Sequence, residues 1–122
     1  MRKHTHAATL PLADLVTTVL DDLKAQSVLS LDVRHLTSMT DVMVIASGRS
    51  DRHVRAVAQA LLDRCKEAGF APLGIEGEAA GEWVLVDLGD VIVHIMQPKV
   101  RDFYSLEKLW DIAPRQDANE GS

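Results

Sequence analysis

The sequence predicts a single layered α/β domain with a mixed sheet of roughly five strands, on three observations. Two long stretches repeat apolar residues at spacings of three and four, as helices with one buried stripe do. Other stretches alternate with period two or run continuously apolar, as strands do. The two patterns interleave as helix, strand, strand, helix, strand, strand, strand, helix, an order that layers helices on a sheet. With 122 residues, 47% of them hydrophobic, the chain has material for one core and not for two. Residues 1–8 and 113–122 are polar and aperiodic, so a frayed N-terminus and a disordered tail are expected around a folded domain of 9–112.

The first helix is expected over 10–26, where Leu12, Leu15, Val16, Val19, Leu20 and Leu23 form one stripe and Pro11 lies near the first turn. It should cover one face of the sheet. Val28 to Leu36 follows as a strand with one wet face, since Leu29, Leu31 and Val33 alternate with Ser30, Asp32 and Arg34. Asp41 to Ala46 is more continuously apolar and therefore a more central strand. Ser47-Gly48-Arg49-Ser50 turns the chain into a second helix over 51–68, with Ser50 as N-cap, Gly69 as the stop, and Val54, Val57, Ala58, Leu61, Leu62 and Cys65 as its stripe. Pro72 and Gly74 interrupt a short strand over 70–75 and place it at an edge. A last short helix is expected over 103–112, carrying Leu106, Leu109 and Trp110.

Between these lies a hairpin, Gly81 to Met96, with its turn at Asp87-Leu88-Gly89-Asp90. Two registers fit. Pairing Asp87 with Asp90 sets Trp83 opposite His94, while a loop of Gly89-Asp90 shifts the partners by two and leaves the faces unchanged. One face carries Val84, Val86, Leu88, Val91, Val93 and Ile95, a core surface. The other carries Trp83, Leu85, Asp87, Ile92, His94 and Met96, a mixture of large apolar groups and polar tips that suits a protein-binding patch. A covering helix, with His94 hydrogen-bonded inside, would account for the same composition.

The net charge of −5 argues against a broad phosphate-binding surface and suits a basic protein partner. The start, Met-Arg-Lys-His-Thr-His, has no hydrophobic signal region, and no apolar run approaches the ~20 residues of a membrane span, so a cytoplasmic protein is expected. The single cysteine, Cys65, sits in a helical stripe and reads as a buried small hydrophobe. Among the five histidines only His4 and His6 are closely spaced, and both lie in the frayed start, so no metal site is expected. The turn at Ser47 to Ser50, with Arg49, Arg52, His53 and Arg55 nearby, offers a helix start to an anion, but it lacks P-loop spacing and reads more simply as a capped turn. A nucleotidyltransferase would follow such a turn with paired carboxylates on a strand; Asp51 and Asp63 fall on a helix, and Asp87 and Asp90 on a hairpin turn. A nucleotide-binding enzyme of that type therefore stands as the alternative to a binding module, with a plain dimerisation domain as a third reading.

Four segments together resemble the ribosomal silencing factor family, also called the Iojap or RsfS family: residues 36–50, Arg52-His-Val-Arg-Ala56, the hairpin from Gly81 to Met96, and Arg101-Asp-Phe-Tyr-Ser-Leu-Glu-Lys-Leu-Trp110. The resemblance covers about residues 10–112 and departs mildly at Val42 and Met43, where the family often has an aromatic after the aspartate. It implies a small fold similar to nucleotidyltransferases but without catalytic carboxylates, activity or cofactor. It further implies docking on the large ribosomal subunit through its ribosomal protein numbered fourteen. Docking there would block joining of the small subunit and lower translation when nutrients are short. A homodimer is implied as well, with little direct nucleic-acid contact. Carried onto this chain, the partner surface is the face of Trp83, Leu85, Asp87, Ile92, His94 and Met96, with Arg101 and Tyr104 beside it.

Overall fold

The computed structural model describes residues 6–104, with side chains from 9 to 101. Its elements are α1 (His6–Asp22), β1 (Gln26–Asp32), β2 (Val42–Ser47), α2 (Asp51–Glu67), β3 (Gly74–Glu76), β4 (Trp83–Asp87), β5 (Val91–Met96) and α3 (Pro98–Tyr104). Among the described residues these form one sheet in the order β1-β2-β5-β4-β3, with β2 and β5 parallel and every other neighbouring pair antiparallel. The α/β class, the mixed sheet of five strands and the order of elements through β5 match the expectation, while α3 opens at Pro98, ahead of the helix expected over 103–112. The helix expected over 103–112 lies almost wholly outside the described residues, as does the tail.

α2 forms where its caps dictate. Ser50 is extended and its hydroxyl accepts from the His53 backbone N–H, satisfying one of the free donors of the first turn. Gly69 ends the helix with φ of +91°. α1 departs from expectation: it begins at His6, so Pro11 is interior, and it stops at Asp22 rather than 26. The stop comes from Lys24, whose φ of 64° is left-handed, while the Ala25 N–H reaches back to the Leu20 carbonyl at 2.9 Å. β1 correspondingly starts at Gln26, with a bulge between Gln26 and Leu29. It ends at Asp32 because the Leu36 and Thr37 N–H groups turn back onto the Val33 carbonyl at 2.9 and 3.1 Å. The edge strand β3, Gly74–Glu76, keeps only Gly74 and Ile75 of the range expected over 70–75 and pairs with β4.

α1 and α2 cover one face of the sheet. Val16, Val19 and Leu20 of α1 and Val54, Val57 and Leu61 of α2 pack with Val44, Val84, Val86, Val91, Val93 and Ile95 in a single fully buried cluster. Each such side chain contributes roughly 1.5–3 kcal/mol by leaving water, so this layer holds the sheet in place. A smaller cluster, Leu31, Val33, Met43, Ile45 and Met96, occupies the opposite face, with Leu29, Trp83 and Val100 packed at its border. Pro98 opens α3 at the position where its missing N–H is of no consequence, and Val100 then lies over this second cluster.

Candidate partner-binding face

The hairpin takes the register with Gly89-Asp90 as its loop. Leu88 N–H bonds the Val91 carbonyl at 2.9 Å, and Gly89 supplies the positive φ of 87° that the turn requires. Trp83 therefore stands opposite Met96 and Leu85 opposite His94. Faces divide as period two demands: Val84, Val86, Val91, Val93 and Ile95 are fully buried under the two long helices. On the other face Trp83, Leu85, Asp87 and Ile92 form a half-buried strip.

Two residues expected on that surface are not on it. Met96 is wholly buried in the second cluster, against which Val100 of α3 packs, and His94 is 7% exposed. The face thus divides into buried Met96 and His94 and half-buried Trp83, Leu85, Asp87 and Ile92. His94 Nδ1 accepts from the Trp83 indole N–H at 3.0 Å, and the rings lie 5.9 Å apart at 51°. That bond fixes the neutral tautomer with its proton on Nε2. Burial pushes the imidazole pKa down to about 4. His94 thus holds the Trp83 indole from the adjacent strand, on the same face of the sheet.

Arg101 is likewise engaged within the molecule. One guanidinium nitrogen donates to the Ser27 carbonyl at 2.6 Å and to Ser47 Oγ at 3.1 Å, bracing α3 across the ends of β1 and β2. Tyr104 closes α3, and its side chain lies outside the described ones. Gln97 completes the brace, with its N–H on the Glu82 carbonyl at 3.0 Å and its amide on the Gly81 carbonyl at 3.1 Å.

The turn at Ser47 to Ser50 is built for capping. Ser50 Oγ holds the His53 N–H, and the Arg49 N–H donates to His53 Nδ1 at 2.9 Å, so two donors that an anion would need already have partners. His53 is buried, not part of a solvated basic face, and its Nε2–H reaches the Leu23 carbonyl at 2.7 Å, clasping the end of α1 to the start of α2. Spacing alone gave no sign of that clasp, since Leu23 lies 30 residues away. Cys65 is buried, and burial pushes its thiol pKa up. Among the described residues no group of three or more His, Cys, Asp or Glu is placed to hold a metal, and no helix is long and apolar enough to cross a membrane.

Fold and face together define a class: small α/β domains with one sheet face sealed by two helices and the other left half open. Comparison with known proteins gives the family. The family model described as "Ribosomal silencing factor during starvation" matches residues 5–122. The ribosomal silencing factor of Chromobacterium violaceum is 46% identical over 99 residues, 81% of each chain. That of Haemophilus influenzae is 46% identical over 101 residues, 83% of this chain and 99% of its own. A crystal structure of a Chromobacterium violaceum protein superposes with a TM-score of 0.82 at 41% identity, covering 93% of this chain and 89% of that one. This chain belongs to the ribosomal silencing factor family, whose members are regulatory proteins of the ribosome.

Proposed function

We propose that this protein docks on the large ribosomal subunit through the open strip of its sheet and, by its bulk, keeps the small subunit from joining, so that translation falls when nutrients are short. One observation carries the reading: a half-exposed tryptophan, hydrogen-bonded to a buried neutral histidine on the adjacent strand, shares its sheet face with half-buried Leu85, Ile92 and Asp87. A rigid indole at the centre of an apolar strip with acidic neighbours is how protein interfaces concentrate their affinity. The family membership names the ribosome, and the resemblance names ribosomal protein fourteen as the contact.

In this account Trp83, Leu85, Asp87 and Ile92 touch the partner, His94 and Met96 support them, Arg101 holds α3 in place and Tyr104 contributes at the rim. The protein works in the cytoplasm as a binding module, without catalysis or cofactor, and pairs with a second copy when free. Its net charge of −5 favours a basic protein surface over RNA. Replacing Trp83 with Ala is expected to preserve the fold and weaken co-sedimentation with purified large subunits by about 2 kcal/mol, roughly thirtyfold. Undiminished co-sedimentation of a folded Trp83→Ala protein refutes the reading.

A further inference from the structure

Beside the tryptophan, the turn between β1 and β2 overhangs the sheet and leaves a cavity of ≈ 270 Å³, lined by Thr37, Met39, Thr40, Met43, Leu85, Ile92 and His94. An apolar cavity of about 150 Å³ already accommodates a benzene ring, so this one has room for a large aliphatic side chain. Met39 at its mouth is 79% exposed and the neighbouring Leu36 44%, an unusual display of apolar surface on one short turn. The turn is held in shape: Thr37 Oγ1 accepts the Met39 N–H at 3.0 Å, and the Leu36 and Thr37 N–H groups both bond the Val33 carbonyl. The overhang therefore exists before any partner arrives.

Two features say what fits. His94, 7% exposed, lines the cavity with its Nδ1 engaged by Trp83. Its Nε2–H has no hydrogen-bond partner among the described residues, and a buried donor calls for an acceptor. In addition, Asp87 pairs with Ile92 and Glu76 with Leu85 across the sheet, which sets two carboxylates beside the lining residues, among which there is no lysine or arginine.

We propose that this cavity is an anchor pocket for one aliphatic side chain from a basic protein segment, whose backbone carbonyl accepts from His94 Nε2–H while its lysine or arginine neighbours meet Asp87 and Glu76. The inference rests on the docking role proposed for the same face and adds the β1–β2 turn to it. A docked segment would lie across Trp83 and under Met39, gripped from two sides. Affinity then depends on the exposed tip of a turn, where Leu36 and Met39 stand outside both core clusters.

Photo-crosslinking and pocket substitutions test this with purified large ribosomal subunits in excess. A benzophenone amino acid replacing Met39 is expected to join the chain to a ribosomal protein; an adduct only with a second copy, only within the chain itself, or none despite co-sedimentation overturns the proposal. Leu85→Trp, which fills the cavity, and Met39→Asp, at a position too exposed to threaten folding, are each expected to weaken binding by roughly tenfold or more, while Met39→Leu retains it. Wild-type affinity in a folded Met39→Asp protein overturns the pocket. If Trp83→Ala abolishes binding and the Met39 variants do not alter it, the pocket alone falls; if the wild-type protein fails to bind large subunits, the docking reading falls with it.

Discussion

His94 keeps an imidazole neutral in a place where it must accept a hydrogen bond, and that requirement ties the fold to pH. Its pKa is depressed from 6.5 to about 4 by burial, so between those values the unfolded chain takes up a proton that the folded chain refuses. The stabilisation is complete above pH 6.5, declines as pH falls toward 4 and changes no further below it. Its full size is about 3 kcal/mol. A His94→Leu protein should lose this part of the acid sensitivity, so thermal unfolding from pH 7 to 4.5 is expected to cost the wild type more than the variant; parallel losses would show that His94 is not the group responsible. Trp83→Phe addresses the other end of the bond. It keeps a ring on the strip but leaves His94 Nδ1 unsatisfied, and a loss of roughly 1–3 kcal/mol in denaturant unfolding is expected.

The hairpin is aimed by its contact with α2, and that contact has a single narrow point. Gly81 has φ of +71°, and an added Cβ would stand 2.7 Å from an Arg55 guanidinium nitrogen and 2.9 Å from the Asp51 carbonyl oxygen. Gly81→Ala is therefore expected to lower stability by roughly 1–3 kcal/mol or more and to shift the melting temperature down by several degrees; an unchanged melting temperature contradicts the close approach. How far such elements could be read from residues alone depended on whether their signals were local. Ser50 and Gly69 delimit α2 by chemistry confined to its two ends, and period two divides the hairpin faces in either register, so both were readable. The end of α1 was not, because a lysine in a left-handed conformation carries no mark that a glycine would. Nor was the depth of Met96, against whose cluster Val100 packs from another element, or of His94 beside the β1–β2 turn, or the clasp of His53 on Leu23. The candidate site was thus half visible: its face and its tryptophan follow from alternation, its cover and its cavity only from packing.

Across the whole molecule the two sides of the sheet have different tasks. Two long helices seal one side into the core that keeps the domain folded, while on the other Val100 of α3 packs at the border of a smaller cluster and Trp83, Leu85, Asp87 and Ile92 stay half-buried. A net charge of −5 steers such a surface toward a basic partner, so raising the salt concentration should slow association more than it speeds dissociation. Stopped-flow measurement with large subunits at low and high salt checks that split, and a rate of association indifferent to salt would show that steering plays no part. The obstruction itself is tested most directly by light scattering during subunit joining. Large subunits incubated first with the wild-type protein are expected to form few whole ribosomes when small subunits are added, and the Trp83→Ala protein is expected to permit normal joining. Undisturbed joining in the presence of bound wild-type protein, or equal inhibition by a folded Trp83→Ala protein, would contradict the account.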